Sequence, residues 1–172
     1  MPRILVTPLS SLEDAIEIHR PSHIVTLLSP EHMIETPRGF SPERHLKLGV
    51  NDISHPEAGE NPPGRVHVDR LLAFSRDWDA TQPLLIHCWA GISRSMASAY
   101  TVLCDRLGPG REVEIALAIR KRANHANPNL LLVRHADEAL ARGGRMVEAL
   151  GCMGPPLQVI EGVTTALPLA GL

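Results

Sequence analysis

The run Leu84-Leu85-Ile86, apolar at three consecutive positions, constrains the architecture most strongly. A strand with one solvated face alternates polar and apolar residues, so an uninterrupted run predicts a strand covered on both faces, as in the middle of a parallel sheet. Gln82-Pro83 leads into the run, and the segment after it from Ser95 to Leu107 is rich in small and apolar residues. That segment stops at Gly108-Pro109-Gly110, which reads as a helix end. A buried strand passing through a short loop into a helix requires further strands beside it and helices on both faces.

The rest of the chain supplies them. Ile4 to Val6 is a short apolar run closed by Pro8, and Ser10 and Glu13 have the spacing of a capping box ahead of a helix to about Arg20. His23 to Leu28 is a β-branched run between Pro21 and Pro30, and Arg44 to Val50 alternates as a half-buried strand does. Arg65 to about Asp77, Glu112 to Arg122 and Asn129 to Leu140 read as helices. The expected fold is a three-layer α/β sandwich: a central, mostly parallel sheet of about four to five strands flanked by helices. Residues 1–150 are expected to form one domain, because 172 residues with 44% hydrophobic content suffice for one core and would be cramped as two. Residues 151–172 mix apolar residues with Gly and Pro without a period and read as a tail, extended or docked.

Charge and cysteine usage narrow the class of function. A net charge of −2 and a pI near 6.5 carry none of the overall basic excess of a nucleic-acid or anionic-membrane binder. No stretch approaches the roughly 20 apolar residues of a membrane span, and Glu13 and Asp14 come too early for a secretory signal. Cys88, Cys104 and Cys152 form no close pair, a poor disulfide framework, so a reducing cytoplasmic setting is expected. Cys104 and Cys152 read as small buried hydrophobes. The nine histidines have no metal-ligand spacing, and no metal or other cofactor is expected.

The chemistry is concentrated between the central strand and the helix after it, in His87-Cys88-Trp89-Ala90-Gly91-Ile92-Ser93-Arg94-Ser95. Open α/β sheets bind ligands at the carboxyl ends of their strands. A tight loop closing onto a helix N-terminus turns successive backbone N–H groups toward one point, where an oxyanion fits. Trp89, Ala90, Gly91, Ile92 and Ser93 are therefore the candidate phosphate cradle, with Gly91 easing the curvature. Arg94 offers a planar fork for two phosphate oxygens. Cys88 at the other end faces the same donors, which favour thiolate over thiol and make it the candidate nucleophile. Ser95 is placed to donate a hydrogen bond to the departing thiolate. His87 is expected inside the fold, orienting the loop through a backbone hydrogen bond.

This segment resembles the signature of the protein tyrosine and dual-specificity phosphatases: His-Cys, five residues, Arg, then Ser or Thr. The resemblance implies a phosphocysteine at Cys88, phosphate held by Arg94 and the loop backbone, and Ser95 assisting breakdown. In small members of that family a general-acid Asp lies some thirty residues before the cysteine on a loop after a strand, and Val50-Asn51-Asp52 looks like that element. Asn127-Pro128-Asn129 before a helix is similar to the family's Pro-Asn segment. The likeness covers roughly residues 20 to 142, strongly at the loop. It implies a phosphorylated protein or another phosphate ester as substrate and phosphate or sulfate as occupant of the loop, while the charge and hydropathy above lead to the expectation of no nucleic-acid or membrane partner.

Asp52, 36 residues before Cys88, is the first candidate for general acid, with Glu57, Glu60 and Asp69 as rivals. His55 reads as a solvated turn residue or a substrate contact. Trp89 either lines the pocket or packs beneath the loop. The low-molecular-weight phosphatases fit less well, because Cys88 is far from the N-terminus and no second cysteine has a relay spacing. A rhodanese-type sulfurtransferase does not account for Arg94-Ser95 and Asp52. The loop lacks the Lys common in phosphoinositide phosphatases. The expected activity is hydrolysis of phosphate monoesters, phosphotyrosine first and phosphoserine or phosphothreonine as further candidates. The alternative is a silent module that binds phosphorylated partners.

Overall fold

The computed structural model describes residues 2–171. Five strands form one sheet: β1 (Arg3–Pro8), β2 (His23–Leu28), β3 (His45–Gly49), β4 (Leu84–Cys88) and β5 (Thr165–Pro168). Their order is β3-β2-β4-β1-β5, with the first four parallel and β5 antiparallel on β1. Six helices complete the fold: α1 (Leu12–His19), α2 (Arg65–Asp77), α3 (Arg94–Leu107), α4 (Glu112–Arg122), α5 (Leu130–Ala139) and α6 (Arg145–Gly151).

The apolar run predicts the middle of the sheet correctly. Strand β4 lies between β1 and β2, and all five of its residues are buried. Alternation along it divides the core: Leu84 and Ile86 join the large cluster under α3, whereas Leu85 joins Leu5, Leu12, Ala15 and Ile24 on the α1 side. Helix α3 is buried from Arg94 through Cys104, so its first turn is fixed from every side at the end of β4. Met96, Ala99, Val102 and Leu103, expected as core, are completely buried. No helix among the described residues is long and apolar enough to cross a membrane.

Two local expectations are overturned. Ser10 and Glu13 form no capping box: residues 9–11 make a 3₁₀ turn, and the Ser10 hydroxyl donates to Glu161 Oε1 at 2.6 Å instead. Cys152 is exposed, because Met146, Ala149 and Met153 take the inward face of α6 and the turn after it.

Residues 151–171 run back along the sheet. Leu157 N–H donates to Asn124 O at 2.9 Å, the Thr7 and Thr164 hydroxyls meet at 2.8 Å, and β5 pairs with β1. Leu172, the last residue of the expected tail, and Met1 lie outside the described residues.

Candidate active site

Cys88 ends β4 directly beside Pro8, the last residue of β1, and residues 89–93 turn from there into α3. The outer side of this turn is tied down. Trp89 O accepts from Leu9 N at 3.1 Å, Ala90 O from Gly162 N at 2.9 Å, Ile92 O from Asn127 N at 2.9 Å and Ser93 O from Asn129 N at 3.2 Å. Four carbonyls are thus engaged by three separate parts of the chain, Ser93 O also accepting from Ala97 N at 2.9 Å as α3 begins. Among the described residues, no N–H from Trp89 to Ser93 donates to a backbone carbonyl. Backbone N–H groups left free beside a helix N-terminus are the kind of donors from which anion-binding nests are built.

Gly91 permits the curvature. Its φ is +70°, and a Cβ there would lie 2.7 Å from Pro8 N and 3.0 Å from Thr7 C, backbone that cannot move without disturbing the β1–β4 pair.

Cys88 is 2% exposed, and its Sγ lies 3.1 Å from Ser95 Oγ. The Arg94 side chain is 7% exposed. Its Nη1 donates to Val50 O at 2.8 Å, and its buried Nε has no hydrogen-bond partner. Asp52 Oδ2 stands 4.0 Å from that Nε, too far for a hydrogen bond. Asp52 Oδ1, by contrast, accepts from Ser93 Oγ at 2.7 Å and from Asn129 Nδ2 at 2.9 Å. Together Asp52, Ser54, Cys88, Trp89, Ala90, Ile92, Ser93, Arg94 and Asn127 line a cavity of about 470 Å³. The other acids lie elsewhere. Glu57 and Glu60 are exposed in the 51–64 loop, and Asp69 pairs with Arg65 on the surface of α2. His55 is exposed in the same loop.

Trp89 is 54% exposed and forms a wall, with its ring edge-on to His32 at 5.5 Å between centroids. A second hollow of about 240 Å³, lined by Leu28, Ser29 and His32, shares Trp89 and Arg94 with the first. A larger cavity, about 530 Å³, lies at β3 around His45, Lys47 and Arg70 and contains none of the loop residues.

His87 is fully buried and does not make the expected backbone hydrogen bond: its Nε2 lies 2.7 Å from Thr26 Oγ1, and its Nδ1 has no hydrogen-bond partner. Burial lowers its pKa to about 4, against a backbone contact with Cys88 that favours a proton.

Asn129, matched in sequence only as part of the Asn-Pro-Asn segment, is the site candidate without a role assigned from sequence. It caps α5, its Oδ1 accepting from Leu132 N at 3.0 Å, while its Nδ2 donates to Asp52 and to Ile53 O at 3.1 Å. The sequence signal was Asn-Pro-Asn ahead of a helix, an N-cap pattern; the reach to Asp52 had none.

No protein-family model matches the chain, and no curated protein does. Solved structures do. The crystal structure of DUSP15 matches with a TM-score of 0.61 at 18% identity, covering 89% of this chain and 89% of that one. Human tyrosine phosphatase-like serine/threonine/tyrosine-interacting protein matches at 0.60 and 20% identity, covering 82% and 93%. PTPMT1 in complex with PI(5)P matches at 0.56 and 18% identity, covering 80% and 90%. The fold is that of the cysteine-dependent phosphatases in their dual-specificity-like form.

Proposed function

We propose that the protein hydrolyses phosphate monoesters, with phosphotyrosine on proteins as the principal substrate and phosphoserine or phosphothreonine as secondary ones. The observation that carries this reading is the tethering of four loop carbonyls, from Trp89, Ala90, Ile92 and Ser93, between Cys88 and Arg94. It leaves the loop's donors preorganised for an oxyanion before any substrate arrives.

A phosphate seated in the loop offers an oxygen to the unpaired Arg94 Nε. The Cys88 thiolate attacks phosphorus, the S–P bond forms, and the bond to the leaving oxygen breaks. Asp52 supplies the proton that this oxygen takes up. Oδ1 is engaged by Ser93 and Asn129, so Oδ2 is the oxygen that carries it. In the second step water attacks the phosphocysteine, Asp52 Oδ2 accepts the water's proton, and the S–P bonding pair returns to sulfur. Ser95 Oγ, 3.1 Å from Sγ, donates to that departing thiolate.

The structural neighbours support a phosphatase class, and one of them is named for interaction as phosphatase-like. That name keeps the silent binding module as the second reading. Hydrolysis of para-nitrophenyl phosphate and a phosphotyrosine peptide by the wild type, without metal and with reductant, tests the proposal. Activity lost in Cys88→Ser supports it. A wild type that binds the peptide without turning it over would favour the binding module.

A further inference from the structure

Three buried polar side chains cross the α1 side of the sheet on adjacent strands. Thr26 on β2 is registered beside His87 on β4, and His45 begins β3 on the other side. All three are at most 5% exposed. Thr26 Oγ1 lies 2.7 Å from His45 Nε2 and 2.7 Å from His87 Nε2, and His45 Nδ1 lies 3.1 Å from the half-buried Thr36 Oγ1. The row leads from the 530 Å³ cavity, which Thr36 and His45 line, to the residue before Cys88.

A hydroxyl has one proton, so Thr26 can donate to only one of the two rings and must accept from the other. With both rings neutral, the two Nε2 atoms are therefore opposite in kind: one carries a proton and one does not. Burial supports neutrality, lowering His45 to about 4, with Lys47 adding to the effect, and His87 to about 4. His87 Nδ1 is buried without a hydrogen-bond partner, so no contact there selects which of the two rings carries the Nε2 proton. In either polarity the hydrogen bonds run in one direction along the row from His87 through Thr26 and His45 to Thr36.

We propose that Thr26 and His45 are positioning residues for the phosphate loop. Through the single Thr26 proton they fix the tautomer of His87, and with it the orientation of the peptide that carries Cys88. The effect on turnover rests on the phosphatase reading; the tautomers do not.

The test is ¹⁵N imidazole spectroscopy on the full-length protein at pH 7. The expected result is two neutral rings of opposite tautomer, one protonated at Nε2 and the other at Nδ1. Thr26→Val should release the His87 tautomer, lower kcat on para-nitrophenyl phosphate about tenfold with KM within about twofold, and slow alkylation of Cys88 by iodoacetate. Thr26→Ser should restore all three. The same tautomer in both rings, a cationic ring, or a Thr26→Val protein with unchanged His87 tautomer or unchanged Cys88 alkylation would overturn the proposal. The wild-type spectrum alone decides the first two outcomes if the variant fails to fold. Opposite tautomers and slowed alkylation with an inactive wild type would refute the phosphatase reading and uphold the relay.

Discussion

Asn129 offers a way to detach the candidate acid from the phosphate cradle without touching either. Its Nδ2 holds Asp52 Oδ1 at 2.9 Å and Ile53 O at 3.1 Å, while its Oδ1 caps α5 at Leu132 N, 3.0 Å away. Asn129→Ser keeps a capping oxygen but is too short to reach Asp52. It therefore removes two hydrogen bonds from the 51–64 loop and leaves the one from Ser93 Oγ. At about 1 kcal/mol net for each bond, and somewhat more for one to a carboxylate, the loss amounts to about 2 kcal/mol. If all of it falls on the placement of Asp52, turnover that needs the proton drops about thirtyfold. The assay is kcat on a series of aryl and alkyl phosphates. Poor leaving groups should show the full drop, and activated nitrophenolates, which depart without a proton, should stay within about twofold. Asn129→Ala should behave alike in turnover and lose about 1 kcal/mol more in urea unfolding, because the cap goes too. An equal drop across the series would refute Asp52 as the proton donor held by Asn129, and an unchanged profile would refute the clamp.

Three further outcomes follow from the geometry. Gly91→Ala should lose phosphate binding and at least about 2 kcal/mol of stability by urea unfolding, since its φ of +70° and a 2.7 Å approach to Pro8 N both exclude a Cβ; wild-type affinity for inorganic phosphate would contradict this. Gly162→Ala should lower turnover about fivefold, because the new Cβ would meet the buried His125 ring at 2.5 Å and draw Gly162 N away from Ala90 O; an unchanged kcat would show that the strap does not support the loop. Burial holds His45 and His87 at about 4 against an ordinary 6.5, so the unfolded chain binds more protons between those values. Their contribution is complete above pH 6.5 and is lost as pH falls toward 4, by about 3 kcal/mol per ring over the whole window. Urea midpoints should fall steeply from pH 7 to pH 5 and less steeply in His45→Gln; equal slopes would refute this.

The fold was legible where its determinants are local. Leu84-Leu85-Ile86 specifies a strand covered on both faces from three neighbouring residues, and the seven residues from Cys88 to Arg94 point to a candidate anion cradle by their order alone. What could not be read depends on distant partners. Thr26 meets His87 across 61 positions, Asn129 meets Asp52 across 77, and Ser10 meets Glu161 across 151. The last of these explains the failed capping box: local spacing favoured Ser10 with Glu13, and a carboxylate from the far end of the chain took the hydroxyl. The final strand was hidden for a related reason. Thr165–Pro168 has only four residues and its place beside β1 comes from pairing, not from a hydrophobic period.

The central claim is that Cys88 takes the phosphoryl group, and acid quenching during turnover of a ³²P-labelled phosphotyrosine peptide tests it most directly. The account predicts acid-stable label on the wild-type protein, mapped to the peptide containing Cys88, and none on Cys88→Ser. Turnover with no labelled protein at any quench time, or label that survives Cys88→Ser, would contradict it.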